Sequence, residues 1–129
     1  MERNRRIVLA DASWECLTLL KTALTATGDH TVHLSRSGEE ALRQIWRFDP
    51  DLVVMDTLLP GMSALEVLRH LHRSPETMPR VLCLASTTCL TVHEQVLELG
   101  ARLLYKPITV SLLLQELQRL SPHRAGQGP

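Results

Sequence analysis

The sequence predicts an α/β protein in which a five-stranded parallel sheet is covered by helices on both faces. Three observations carry that prediction. Strand-length apolar runs and segments of helical spacing alternate five times along 129 residues. The runs at 7–10, 52–55 and 81–85 are continuously apolar, as in strands buried on both faces. Alternation of this kind requires right-handed crossovers, which carry each helix back over the sheet.

Ile7-Val8-Leu9-Ala10 is the first strand and ends in a carboxylate, Asp11. From Ser13 to Thr27 the leucines Leu17, Leu20 and Leu24 form one apolar stripe, and Gly28-Asp29 is the expected stop. Thr31-Val32-His33-Leu34 alternates weakly, as an edge strand does. Ser37-Gly38-Glu39-Glu40 has capping-box spacing and opens a helix with Ala41, Leu42, Ile45 and Trp46 on its core face. Pro50 closes that helix by disfavouring helical geometry at Asp49.

Leu52-Val53-Val54-Met55 is the central strand, followed at once by Asp56 and then by the turn signal Pro60-Gly61. Ser63 to Glu66 repeats the capping box before a helix marked by Leu65, Leu68 and Leu71, which Ser74-Pro75 ends. The fourth strand covers 81–85. Thr91 to Glu94 reads as a further capping box, leading a short helix through Val96 and Leu99 to Gly100. Leu103-Leu104-Tyr105 is the last strand, Lys106-Pro107 follows, and Val110, Leu113, Leu114, Leu117 and Leu120 mark the last helix. One domain over residues 1–120 and a flexible tail or linker start over 121–129, rich in Gly and Pro, are expected.

Hydrophobic content of 44% and charged content of 22% are ordinary for a soluble domain, and 3% aromatic residues leave a mainly aliphatic core. Fourteen basic and fourteen acidic side chains cancel, so direct nucleic-acid binding lacks its usual basic surplus. Cys16, Cys83 and Cys89 have neither metal spacing nor an even count, so they read as reduced, mostly buried thiols. The six histidines are scattered, and surface positions are expected rather than a zinc site. No signal-peptide or membrane-spanning run is present in the sequence, and a cytoplasmic location without membrane association is expected.

Five strands fit the flavodoxin-like order 2-1-3-4-5, a three-layer (βα)5 sandwich whose topological switch lies between strands one and three. Asp11 and Asp56 end those two strands, so both carboxylates face one crevice, while Ala85 and Lys106 end strands four and five on the same edge. Asp56 alone is equally a turn residue, and Lys106 alone a solvated lysine. Together they suit a small hard cation and a phosphoryl group. Mg2+ takes one or two carboxylates and keeps several waters, a lysine pairs with a phosphoryl oxygen, and an Asp is a nucleophile in covalent phosphoryl transfer.

The strand ending in Asp11, the segment from Pro50 to Asp56 with Pro60-Gly61-Met62 after it, Leu65 to Leu68, Gly100-Ala101 and Lys106-Pro107 together resemble the receiver domain of bacterial two-component response regulators. The resemblance covers nearly the whole chain. In Ala10-Asp11 and Leu65 to Leu71 it is most similar to the receiver of the sporulation master regulator. It implies that Asp56 accepts a phosphoryl group from a histidine kinase or phosphotransfer protein, in a domain that is not itself an enzyme. It also implies that Mg2+ is held by Asp56, an acidic pair after the first strand and the backbone carbonyl of Leu58. Lys106 would contact the phosphoryl group, and its bond to Pro107 would be cis.

Three positions depart from the family pattern. Ala12 stands beside Asp11 where the more direct metal ligand is expected, so Mg2+ binding should weaken, with only partial compensation from Asp11 or water held by Ser13. Ala85 replaces the hydroxyl residue that ends strand four, and losing one hydrogen bond to a charged group costs roughly 1.5 to 3 kcal/mol. Leu103 replaces an aromatic, and the stretch from Gly100 to Lys106 is one residue short. Tyr105 is either the displaced aromatic or, as favoured here, a strand-end residue packing on the last helix. Trp14 lines the crevice or covers the core at a helix start. Ala12 and Ala85 motivate a second hypothesis, a degenerate receiver acting through unphosphorylated contacts or as a homodimer. A flavodoxin-type enzyme is disfavoured because Asp11 to Glu15 is not a phosphate-binding loop.

Overall fold

The computed structural model describes residues 4–86 and 89–119. The expected last turn at Leu120, the tail at 121–129 and His123 lie outside the described residues. The elements are β1 (Arg6–Ala10), α1 (Trp14–Thr25), β2 (Thr31–Ser35), α2 (Gly38–Phe48), β3 (Leu52–Asp56), α3 (Ala64–His72), β4 (Arg80–Ala85), α4 (Leu90–Glu98), β5 (Arg102–Tyr105) and α5 (Val110–Gln118). A 3-10 turn over Pro75–Thr77 precedes β4. All four strand pairings are parallel, in the order β2-β1-β3-β4-β5 expected from the sequence.

Side chains alternate across the sheet with a period of two, and this divides the core. Val8, Val53, Val81 and their alternates pack under α2, α3 and α4, against Leu42, Val67, Leu68 and Val96. Ile7, Leu52, Leu82 and theirs pack under α1 and α5, against Leu17, Leu24, Leu113 and Leu117. The central β3 is buried along its full length, which explains its unbroken apolar run. Edge strand β2 is only half-buried through Val32, His33 and Leu34.

Ser63 and Glu66 form the full reciprocal cap on α3: the Ser63 hydroxyl accepts the Glu66 N–H at 3.2 Å and the Glu66 carboxylate accepts the Ser63 N–H at 3.1 Å. Ser63→Ala should cost about 1 kcal/mol, measured as a lower urea midpoint with an unchanged m-value. The Ser37 cap on α2 also forms, at 3.2 Å, but Glu40 reaches one residue further back and accepts the Arg36 N–H at 2.7 Å. Asp49 ends α2 in the left-handed region, with φ 46°, directly before Pro50.

Several local expectations are corrected. Helix α1 ends at Thr25, before Gly28, where the Thr27 N–H and hydroxyl both donate to the Leu24 carbonyl, at 3.1 and 2.8 Å. Helix α4 starts at Leu90 with Cys89 at its N-cap, so Thr91 is inside the helix and caps nothing. Gly100 does end that segment, at φ +85°. Trp46 is 63% exposed, because the buried stripe of α2 is no wider than Ala41, Leu42 and Ile45. Its ring rests edge-on against His70 at 6.1 Å. His30 is buried rather than on the surface, accepting the Arg5 N–H at 3.2 Å. Of the three thiols only Cys83 is fully buried; Cys16 is half-buried and Cys89 exposed. Burial raises the Cys83 thiol to about 12, so it stays protonated.

Candidate functional site

Strand register decides which end-of-strand groups meet. Leu9 pairs with Val54 and Ala10 with Met55, so continuing one residue brings Asp11 opposite Asp56. Both carry the parity of the α1/α5 face, as does Lys106, two residues beyond Leu104. The Asp11 N–H donates to the Ser35 carbonyl at 3.1 Å and the Lys106 N–H to the Ala85 carbonyl at 2.7 Å, extending the sheet to these residues.

The three side chains converge. Lys106 Nζ donates to Asp11 Oδ2 and Asp56 Oδ2, each at 2.9 Å, spanning 95 and 50 residues of chain. The Ser13 N–H donates to Asp11 Oδ1 at 2.9 Å, and the Leu58 N–H to Asp56 Oδ1 at 3.0 Å. Every carboxylate oxygen is therefore oriented by at least one donor. Asp11 and Asp56 are buried, and the Lys106 side chain keeps 24% exposure, so the site opens to solvent on the ammonium side.

Burial raises the Asp11 pKa, but the Lys106 and Ser13 hydrogen bonds outweigh it and hold the carboxyl below the ordinary 3.8. Burial lowers the Lys106 pKa, and the two carboxylates more than reverse this, holding the ammonium charged well above its ordinary 10.5. Burial and a hydrogen bond to Asp11 push the Cys16 thiol up to about 11, so it is protonated beside the site and not a nucleophile.

The donor set suits a hard divalent cation. Two carboxylates match the one or two that Mg2+ accepts, and the Leu58 backbone reaches Asp56 through its N–H. Lys106 already shares both carboxylates, so a cation would have to share them with it. No group of three His, Cys, Asp or Glu side chains able to hold a metal occurs among the described residues. Ala12 contributes no carboxylate, and the Ser13 hydroxyl caps α1, accepting the Cys16 N–H at 3.2 Å.

The altered positions fall outside the convergence. Ala85 has the opposite parity, that of Cys83 and Val81 two and four residues earlier, and Ser86 is exposed in the bend beyond it. Leu103 packs on the α4 side of the sheet. Tyr105, two residues on, shares that face and is 38% exposed, its hydroxyl 3.2 Å from His93 Nδ1 on α4. The expectation that it packs on the last helix is thus corrected, since strand parity sends it to the other layer. Trp14 is 54% exposed, neither covering the core nor sealing the crevice, with the Arg36 guanidinium 5.1 Å above its ring.

Sequence reasoning missed three residues here. Arg36 donates from Nε and Nη2 to the Ala12 carbonyl at 3.2 and 2.8 Å, a contact across 24 residues with no local signature. Glu116 is buried on α5 beside Arg102, 3.2 Å away, with charges facing but not aligned for a hydrogen bond. Cys16, at the third position of α1, bonds Asp11 across the turn that precedes the helix, a contact with no helical-spacing signature because Asp11 lies outside α1.

Residues 7–118 match the family model of the response regulator receiver domain. Response regulator MprA of Mycobacterium sp. (strain KMS) is 31% identical over 129 residues, covering 96% of this chain and 55% of that protein. Protein-glutamate methylesterase/protein-glutamine glutaminase 1 of Oleidesulfovibrio alaskensis is 34% identical over 98 residues, covering 74% of this chain and 26% of that protein. The chain thus spans about half the length of MprA or less of its longer relatives. The chemotaxis protein CheY4 of Vibrio cholerae shares the fold, with TM-score 0.81 and 22% identity over 92% of this chain and all (100%) of that one.

Proposed function

The chain belongs to the response regulator receiver domain family, and on that premise we propose that it is a signalling domain whose Asp56 takes a phosphoryl group from the phosphohistidine of a histidine kinase or phosphotransfer protein. The observation that carries this reading is the 2.9 Å contact of Lys106 Nζ with both Asp11 and Asp56 at the end of adjacent strands. A carboxylate oxygen of Asp56 forms the bond to phosphorus as the phosphorus–nitrogen bond of the donor breaks. The electron pair stays on the departing imidazole nitrogen, which takes a proton. Lys106 is positioned to leave Asp56 and follow the charge onto the phosphoryl oxygens, retaining Asp11 as its partner.

Asp11, Asp56 and the Leu58 carbonyl would hold Mg2+, which when bound neutralises charge on the transferring group. With Ala12 beside Asp11, that metal would be held by one carboxylate fewer than the family pattern provides. Ala85 offers no hydroxyl to the phosphoryl group, so the conformational response to phosphorylation rests more heavily on Lys106. A cytoplasmic location and contact with a kinase belong to the same proposal. The likeness to the sporulation master regulator gains no support from the relatives reported above and is not part of it.

The test is intact-mass detection of an acyl phosphate after incubation with Mg2+ and a small phosphodonor or a phosphorylated kinase. Wild type should carry one adduct, labile to hydroxylamine, and Asp56→Asn none. An unmodified wild type would remove the proposal.

Ala12, Ala85 and the exposed side chains of Leu90, Leu97, Tyr105 and Leu112 favour a second reading. In it the domain signals unphosphorylated, through protein contacts or homodimerisation on the face formed by α4, β5 and α5. That reading fails if Asp56→Asn abolishes output while leaving the melting temperature unchanged.

A further inference from the structure

We propose that Arg36 is a positioning residue for Asp11: its forked bond to the Ala12 carbonyl holds the turn after β1 in place where the chain lacks a second carboxylate. The inference rests on the phosphoacceptor reading of the site and names what keeps that site in shape.

The turn from Asp11 to Ser13 is anchored at its start by the Asp11 N–H on the Ser35 carbonyl at 3.1 Å. The next residue along each strand then makes a second tie, this time through a side chain. Arg36 reaches back and gives Nε and Nη2 to the single carbonyl oxygen of Ala12 at 3.2 and 2.8 Å. Arg36 is itself fixed from behind, because Glu40 on α2 accepts its N–H at 2.7 Å. From the front its guanidinium lies 5.1 Å over the Trp14 ring, at the first residue of α1. The tie therefore links the segment before α2 to the segment before α1, on the β2 side of Asp11.

Ala12 explains why such a tie has work to do. Its exposed methyl group cannot bind a cation or a donor, so position 12 anchors the turn only through its backbone carbonyl. A planar fork delivers two charged donors to one oxygen in a fixed orientation, which a lysine ammonium does not reproduce. Inside the turn, the Ser13 N–H bond to Asp11 Oδ1, at 2.9 Å, is the contact that reports whether Asp11 is held. The equivalent bond at the other carboxylate, Leu58 N–H to Asp56 Oδ1 at 3.0 Å, lies on a separate loop and serves as the internal control.

The experiment is amide hydrogen exchange by NMR on the metal-free protein, comparing wild type, Arg36→Ala and Arg36→Lys. Ser13 exchange should rise about tenfold in Arg36→Ala and by a smaller factor in Arg36→Lys, with Leu58 unchanged. Unchanged Ser13 exchange, or an equal rise at Ser13, Leu58 and the strand amides, overturns the proposal. Calorimetric titration with Mg2+ follows the consequence for Asp11. Affinity should fall about fivefold in Arg36→Ala and recover in Arg36→Ala/Ala12→Asp, where a new carboxylate replaces the tie. Equal affinity in wild type and Arg36→Ala overturns the role toward Asp11. A protein whose Ser13 responds as expected but whose Asp56 takes no phosphoryl group would instead sink the functional reading and leave the tether standing.

Discussion

Gly38→Ala should destabilise the domain by about 3 kcal/mol, lowering Tm by about 10 °C. Local reasoning gives the opposite sign, because Gly38 is the first residue of α2 and Ala is favoured over Gly in a helix by about 1 kcal/mol. Packing reverses it. A Cβ on Gly38 would stand 1.7 Å from the Met62 carbonyl oxygen and 2.6 Å from its carbon, so it meets backbone rather than a side chain that can rotate away. The loop after β3 is drawn tightly onto the start of α2, with the Gly38 N–H on the Pro60 carbonyl at 3.3 Å and the Met62 N–H on Glu39 at 3.1 Å. Accommodating a methyl group means lifting that loop, whose first residues fix Asp56 through the Leu58 N–H. Urea denaturation measures the stability, and the Leu58 amide shift reports the displacement. Wild-type stability in Gly38→Ala would show that the loop yields without cost, against the close approach described here.

Lys106→Met should lower stability by about 2 kcal/mol at neutral pH and change how stability depends on acid. Breaking a buried ion pair costs roughly 3 to 5 kcal/mol, and the partial exposure of Lys106 moves the expectation below that range. Without the ammonium, Asp11 and Asp56 face each other in a partly dry crevice. Like charges so close raise the pKa of one of them, because the second ionisation is disfavoured. The folded variant then binds protons more readily than its unfolded chain, so its stability should climb as pH is lowered from 7 to 5.

Wild type should behave oppositely. With the Asp11 pKa held below 3.8, its contribution is present above 3.8 and is lost as pH falls through the lowered value. The raised Lys106 pKa adds stability that is complete below 10.5 and lost only as pH rises through the folded value, far into the alkaline range. Wild-type stability should therefore show no gain between pH 7 and 5 from this site. Urea unfolding at pH 5, 6 and 7 distinguishes the two curves. Parallel curves would mean that Lys106 does not separate the carboxylates.

Much of the site was legible because strand ends in a parallel sheet are legible. An unbroken apolar run, a carboxylate directly after it and a turn signal beyond placed Asp11 and Asp56, and strand order placed them side by side. Lys106 came from the same logic at β5, and the cis bond to Pro107, implied by family resemblance, is present. What misled was local pattern without context. Thr91 to Glu94 has the spacing of a cap, yet the helix starts earlier, at Leu90. Trp46 fits the apolar side of α2 by periodicity, yet it lies beyond the edge of what the sheet can cover.

Local pattern was enough for the order and type of the elements and for the charged group at the end of each of three strands, since each is read from residues within a few positions of one another. Tertiary structure alone decided that Arg36 holds Ala12, that Gly38 admits no side chain, and that Tyr105 turns to His93 rather than to α5. Those outcomes depend on register and on how closely separate segments approach, and such distances are set by the packed core as a whole rather than by any short stretch of chain.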